Sequence, residues 1–323
     1  MVRVTPHFFN AYRTTFDYPR KNLLQWFPGH MGKGLKQMNK NLKSVDCIVE
    51  VHDARIPLSG RNKHFKDILG GIKPHILILN KIDLADLTHE KEILSALQKE
   101  GTNNVLFTNC KSNNFSRLKK LVPMATDLIL NSERYHRSDN KEYSIMITGV
   151  PNVGKSSIIN ALRHTYLRRN KAAPVGALAG VTRSVTSKIK VSEVPLIYVL
   201  DTPGILEPTV SDMDAALKLA LCSSMQDHLV GCEIIADYLL FWLNKHNNFS
   251  YVGYMGVKEP VDSITELLVS CAVNYNKTIK LKSVESGGYT IRPNTEFAAY
   301  HFIKGFRTGL FGKVILDKDL INF

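Results

Sequence analysis

The 323-residue chain has few cysteines, five in all (Cys47, Cys110, Cys222, Cys232 and Cys271), and no two of them form a C-x-x-C pair. That scarcity argues against a disulfide framework or a structural zinc site, and it fits a reducing compartment. The chain also lacks any apolar run approaching the roughly 18 residues that a membrane-spanning helix needs. Its longest stretches, such as Ile76–Leu79 and Tyr238–Leu243, are short. Acids are scarce in two regions. Residues 1–45 hold one, Asp17, against eight basic residues, and none occurs between Tyr143 and Ser192. Over the whole chain 42 Lys and Arg outweigh 29 Asp and Glu, a net charge of +13. Such an excess favours a polyanionic partner, nucleic acid or an anionic membrane face, and carries no information about fold. The 44% hydrophobic fraction excludes wholesale disorder. The first 22 residues lack the apolar core of a secretory signal. Their Arg3, Arg13, Arg20 and Lys21 among hydroxyl side chains suit a mitochondrial transit peptide, and equally an ordinary basic arm.

What the chain does contain is a series of apolar, β-branched runs that each end at a polar loop. The runs at 46–56, 75–84 and 105–112 each read as a buried strand followed by a loop, with a helical stretch at 88–99 between the last two. Leu118, Leu121, Val122, Ala125, Leu128 and Ile129 recur at helical spacing, and the polar residues 132–141 then read as a linker. A second group follows: a strand within 143–150, a helix from Lys155 to about Arg168, and strands within 186–192 and 196–204. Strands alternating with helices imply a mostly parallel sheet. Beyond Pro208 the pattern becomes helical, at 213–222, 230–243 and 261–273, with no strong strand until the tail. The expected organisation is an α/β domain over 23–208 and a smaller, mainly helical domain over 209–323, after a possible leader at 1–22.

Between the first strand of this second group and its helix lies Gly149-Val-Pro-Asn152-Val153-Gly154-Lys155-Ser156-Ser157, a match to G-x-x-x-x-G-K-[ST]. Glycines let backbone N–H groups converge on phosphate oxygens, and the helix N-terminus adds a positive dipole end. Lys155 can bridge β- and γ-phosphates, and the Ser156 hydroxyl is placed to ligate Mg²⁺. Asp201, in Leu200-Asp-Thr-Pro-Gly204, stands 46 residues after Lys155. A strand-end Asp of this kind can hold Mg²⁺ through water, and the Gly204 N–H can reach a γ-phosphate. Thr182, in the Gly-rich segment between them, is expected to close over γ-phosphate and Mg²⁺ as a switch residue, or else to be an ordinary loop residue.

Asn80-Lys81-Ile82-Asp83 also ends a buried strand. A carboxylate at Asp83 accepts from guanine N1–H and the exocyclic amine together, a donor pair that adenine lacks. Asn80 would tie this loop to the phosphate loop, and the Lys81 stem would cover the base. Asn109-Cys110-Lys111 ends the next strand, where backbone N–H groups could meet guanine O6. The order of these parts is unusual. In an ordinary small GTPase the phosphate loop comes first, whereas here Asn80 precedes Lys155 by 75 residues and no N-K-x-D follows Asp201. One set of parts in rotated order is one circularly permuted P-loop GTPase domain.

With Trp26-Phe-Pro-Gly-His30-Met, N-K-I-D, G-V-P-N-V-G-K-S-S and D-T-P-G in that order, the chain resembles the circularly permuted ribosome-assembly GTPases. The likeness covers most of residues 22–312, including the tail Arg307–Asp317; residues 109–111 depart from the usual Ser-Ala-Lys. It implies GTP/GDP as ligands with Mg²⁺, and a role in assembling the large subunit of the mitochondrial ribosome by contact with its rRNA and proteins. It also implies a location in the mitochondrial matrix. Peripheral contact with anionic lipid of the inner membrane fits the basic surface. An RNA-modification or translation GTPase acting on tRNA or mature ribosomes is the alternative.

Ile205 follows Gly204 where many GTPases place a water-orienting Gln, and an aliphatic chain cannot do that work. His30 is the residue the resemblance implicates; packing beside Trp26 and Phe27 is its competing role. Asn152 resembles the Asn of phosphate loops that use K⁺ as an activating ion, and a turn cap is its competing role. In the tail, Arg292, Lys304, Arg307 and Lys313 are interleaved with Tyr300, His301, Phe302, Phe306 and Phe311. That pattern suits RNA contact with stacking rings, or else a solvated face over a small satellite core.

Overall fold

The apolar runs fold into one sheet in the computed structural model, which describes residues 12–18, 42–61, 73–111, 115–134, 137–168, 188–202, 212–282 and 289–321. The strands are β1 (Cys47–Asp53), β2 (His75–Asn80), β3 (Val105–Phe107), β4 (Tyr143–Thr148), β5 (Ile189–Ser192) and β6 (Ile197–Asp201). Their order across the sheet is β3-β2-β1-β4-β6-β5, parallel throughout except that β5 runs antiparallel to β6. Helices α1 (Glu90–Lys99), α2 (Leu121–Leu130) and α3 (Lys155–Leu167) supply the crossovers. The permutation is visible in this order, because β4, fourth along the chain, lies at the middle of the sheet between β1 and β6. Asp53 is in register with Asn80, and Glu50 with Thr148, so the loops after β1, β2 and β4 leave from one edge. Ligands of open parallel sheets bind at that carboxyl edge.

All seven residues of β1 are buried although Glu50, His52 and Asp53 are among them. Each has a partner. Glu50 meets Arg61 at 2.9 Å and His75 at 3.1 Å, His52 Nε2 lies 2.9 Å from the Ser59 carbonyl, and Asp53 pairs with Arg55 at 2.8 Å. Burial opposes the charge on Glu50, but His75 and Arg61 outweigh it and hold the carboxyl well below the ordinary range.

Residues 132–141 are not a free linker. Arg134 and Arg137 donate to Asp46 Oδ1 at 3.2 and 3.0 Å, and Asp46 Oδ2 accepts from Ser144 N at 2.8 Å. Arg134 and Arg137 are drawn in to the start of β1 and β4 because the buried Asp46 carboxylate offers both an opposite charge. The acid-free region is also less open than its composition implied: Lys188 pairs with Glu142 at 2.7 Å and Lys190 with Glu193 at 3.1 Å.

The chain divides into two compact units. One combines residues 21–230 with 313–323 and contains the sheet, α4 (Met213–Leu221) and α5 (Asp227–Val230). The other combines residues 1–20 with 231–312 and contains α6 (Cys232–Lys245), α7 (Tyr251–Met255), α8 (Ile264–Asn274) and α9 (Thr295–Arg307). A hairpin of β7 (Thr278–Lys282) and β8 (Tyr289–Pro293), not expected from the sequence, joins α8 to α9.

Residues 12–18 are part of the second unit's packing. Arg13 reaches Asp237 at 2.7 Å and Asp262 at 3.2 Å, and Phe16, only 7% exposed, lies edge-on to Tyr238 at 5.3 Å. These contacts tie this stretch of the 1–22 segment to the second unit. Of the two readings of the aromatic tail, the packing matches the satellite core: Phe302, Phe306 and Phe311 are buried within the unit, Tyr300 is exposed and His301 stacks on Tyr254.

Candidate nucleotide site

The loop after β4 takes its shape from backbone conformations that side chains disfavour. Gly149 has φ 138°, and a Cβ there would run into the Val51 carbonyl oxygen of β1. Gly154 has φ 100°, and a Cβ there would collide with Asn80 Nδ2. Between them Asn152 adopts φ 59°, which Asn tolerates better than most residues. α3 begins at Lys155, so its first N–H groups point back into the loop.

Lys155 is buried inside this concavity. Its Nζ donates to the carbonyls of Gly149 at 3.1 Å and Val150 at 2.8 Å. Burial lowers its pKa to about 8, and Asp201 only partly opposes that fall. The next residue, Ser156, donates from Oγ to Asp201 Oδ2 at 3.3 Å. Asp201 is 1% exposed, and its Oδ1 has no hydrogen-bond partner among the described residues. Burial raises the pKa of this carboxyl against the pull of Lys155 and Ser156. A buried carboxylate oxygen lacking a donor, next to a serine hydroxyl, is a donor set suited to a hard cation such as Mg²⁺. Val153 is fully buried, and Ser157 is half-buried in the first turn of α3.

The base loop meets the phosphate loop directly. Asn80, 3% exposed, donates from Nδ2 to the Val153 carbonyl at 2.8 Å and accepts at Oδ1 from Thr108 Oγ1 at 3.0 Å. The same side chain therefore fixes the loops after β2, β3 and β4. Lys81 has φ 66° and pairs through Nζ with Asp53 at 3.0 Å, while Asp83 is half-buried. Asn109 Oδ1 accepts from Lys111 N at 2.9 Å, which rounds off the turn; Lys111 is exposed. Cys110 lies between them with its thiol pushed up to about 12, first by burial and then by the charge of Asp83.

The structure thus gathers Asn80, Lys81, Asp83, Asn109, Cys110, Lys111, Asn152, Val153, Gly154, Lys155, Ser156, Ser157 and Asp201 at one sheet edge. His30, Thr182, Gly204 and Ile205 lie outside the described residues. Three supports escaped the sequence reading. Asp53 and Arg55 form a buried pair beneath Lys81, Asn152 Nδ2 donates to the Ser223 carbonyl at 2.9 Å, and Asp317 is buried near residues 58–59. Only the first had a signal, since two opposite charges ending an apolar strand ask for a partner.

Comparison with known proteins agrees with this arrangement. Residues 144–267 match the family described as 50S ribosome-binding GTPase. The chain is 55% identical over 312 residues to Mitochondrial GTPase 1 of Aedes aegypti, covering 96% of this chain and 98% of that protein. It is 50% identical over 313 residues to Mitochondrial ribosome-associated GTPase 1 of Mus musculus, covering 96% and 95% respectively. Among solved structures, GNP-bound YlqF from T. maritima has a similar fold, with a TM-score of 0.54 at 24% identity, covering 88% of this chain and 97% of that one.

Proposed function

The chain belongs to the family of mitochondrial GTPase 1, circularly permuted GTPases, and from that premise we propose that it uses GTP hydrolysis to help assemble the large subunit of the mitochondrial ribosome. The observation that carries the nucleotide part is the Asn80–Val153 bond at 2.8 Å, which brings a guanine-reading loop and a phosphate loop into one site. In this reading Asp83 accepts the two guanine donors and the Lys81 stem lies over the base. The turn at residues 109–111 presents N–H groups to guanine O6.

Lys155 exchanges its two carbonyl acceptors for β- and γ-phosphate oxygens, and the N–H groups of Val153 through Ser157 hold the rest of the phosphate chain. Ser156, Asp201 and Thr182 would hold Mg²⁺, which would supply positive charge against the charge developing on the phosphates. Gly204 contacts the γ-phosphate and His30 orients the attacking water, a task closed to Ile205. Asn152 is a candidate for K⁺; with its amide nitrogen given to Ser223, Oδ1 is the atom that would face the ion.

The ribosomal part rests on the relatives' names and on the net charge of +13. rRNA is the expected polyanion, the matrix the expected location, and peripheral contact with the inner membrane a secondary role of the same basic surface. No helix among the described residues is long and apolar enough to cross a membrane. Sedimentation of mitochondrial lysates tests the reading. The protein should travel with immature large subunits in the presence of a non-hydrolysable GTP analogue and leave them with GDP. Migration with mature ribosomes or tRNA alone would favour the translation or RNA-modification alternative.

A further inference from the structure

Residues 313–321 group with the sheet rather than with the helices that precede them. They run beside the base loop: Val314 N donates to Leu84 O at 3.1 Å, and Asp86 N donates to Val314 O at 3.4 Å. Leu316 N donates to Arg55 O at 2.8 Å, and Ile315 and Ile321 are buried in a cluster with Leu77, Leu79, Ile93 and Phe107. Between those two isoleucines Asp317 is fully buried. Its Oδ2 accepts from Leu58 N and Ser59 N, both at 2.9 Å. Its Oδ1 accepts from Ser59 Oγ and pairs with Lys218 Nζ at 3.2 Å.

Lys218 belongs to α4, is 2% exposed, and also meets Asp214 at 2.7 Å. Burial opposes its charge, and Asp317 and Asp214 outweigh burial, so its pKa lies above the usual lysine value. If the tail served only to cover the sheet, an apolar residue would do so without the cost of desolvating two charges. A carboxylate with donors from two other elements instead fixes positions. One of those elements matters for the nucleotide. α4 is the first described helix after Asp201, and the Ser223 carbonyl just past its end is held by Asn152 of the phosphate loop at 2.9 Å.

We propose that Asp317 is a positioning residue for the GTPase reaction. Through Lys218 it fixes α4, and through the pairing of its own segment with Leu84 and Asp86 it ties that helix to the base loop. The grip on the base and the state of the phosphate side are thereby coupled within one unit. The inference rests on the GTPase reading. Its consequence is a bias between nucleotides. α4 follows D-T-P-G in the sequence, and Ser223 just past its end is held by Asn152 of the phosphate loop, so a fixed α4 helps to hold the phosphate side ready for a third phosphate. Loosening it should cost GTP more than GDP.

The test uses the full chain with Mg²⁺ and measures binding of a fluorescent non-hydrolysable GTP analogue and of fluorescent GDP. Asp317→Asn keeps volume and an acceptor for Leu58 and Ser59 but removes the charge facing Lys218. Lys218→Met removes the other partner. Each should lower the ratio of GTP-analogue to GDP affinity by about tenfold, within the usual range of coupling between sites. The double variant should be no worse than either alone, because both break one interaction. An unchanged ratio in variants that melt cooperatively overturns the inference, as does full additivity. If Asp317→Asn does not fold, Lys218→Met decides alone by the same ratio. A wild-type chain that fails to prefer guanine over adenine nucleotides overturns the GTPase reading and this inference with it, whereas normal wild-type binding with an unmoved ratio overturns the inference alone.

Discussion

Lys155 makes a pH-dependent prediction that depends on its burial. Without nucleotide its ammonium donates to the carbonyls of Gly149 and Val150, Asp201 only partly offsets its burial, and its pKa is held at about 8. Phosphate oxygens would favour the charged form, so the complex retains the proton to much higher pH. The sign follows from proton linkage. Below pH 8 the lysine is protonated both free and bound, and affinity is flat. Above pH 8 binding must take up a proton, and affinity falls. With the free pKa near 8 and the bound pKa at or above an ordinary lysine value, GDP should bind roughly tenfold more weakly at pH 9 than at pH 7. Guanine and other groups also titrate in alkali, so the control is Lys155→Arg, whose guanidinium stays charged throughout. Its absolute affinity will be lower, because the longer fork does not fit the same carbonyl pair. Its decline over the same interval should nevertheless lack the tenfold component. Isothermal titration in two buffers of different ionisation enthalpy gives an independent count, with close to one proton taken up per wild-type binding event at pH 9. Equal slopes for wild type and Lys155→Arg would refute the reasoning, and with it the view that burial, only partly offset by Asp201, holds this lysine's pKa down until phosphate arrives.

Three further outcomes are expected. Asp83→Asn replaces a double acceptor with one acceptor and one donor, so GTP competition assays should show affinity lost by about ten- to a hundredfold and selectivity over ATP reduced. Asp46→Ala leaves Arg134 and Arg137 buried without their carboxylate, and the urea midpoint should fall by the equivalent of about 3–5 kcal/mol. His30→Ala should spare nucleotide affinity while lowering ribosome-stimulated hydrolysis by about 10²–10⁴-fold, measured with and without large subunits; a normal stimulated rate would remove His30 from the reaction.

The strands and the two loops were readable because their signals are local. β1, β2, β4 and β6 are apolar runs, and each nucleotide-facing residue sits within a few positions of a strand end. Longer-range features were not. Arg134 and Arg137 look like solvated linker residues until Asp46, about 90 positions earlier in the chain, is seen to receive both. The β7–β8 hairpin carries exposed Ile279, Tyr289 and Ile291, so no buried face imposed a clean alternation of apolar and polar residues. α9 was hidden among basic and aromatic residues whose phenylalanines pack inward. The bond from Asn152 to Ser223 could not have been anticipated, since a backbone carbonyl leaves no mark in the sequence.

The two outer segments are exchanged between the units: residues 12–18 pack with helices that follow residue 231, and residues 313–321 pack against the sheet begun at residue 47. Neither unit is therefore a contiguous stretch that can be cut out by a single break. The consequence is vectorial. As the chain emerges N-terminus first, residues 21–230 cannot close the nucleotide unit beside its base loop until the helices of 231–312 have been made and Ile315, Asp317 and Ile321 have followed them. A product stalled or truncated after the helices would expose Leu77, Leu79 and Phe107 and lack the anchor for Lys218. The cover over this side of the sheet is thus made only after the helical unit, and a form cut between residues 312 and 313 should be digested by protease faster than the uncut chain.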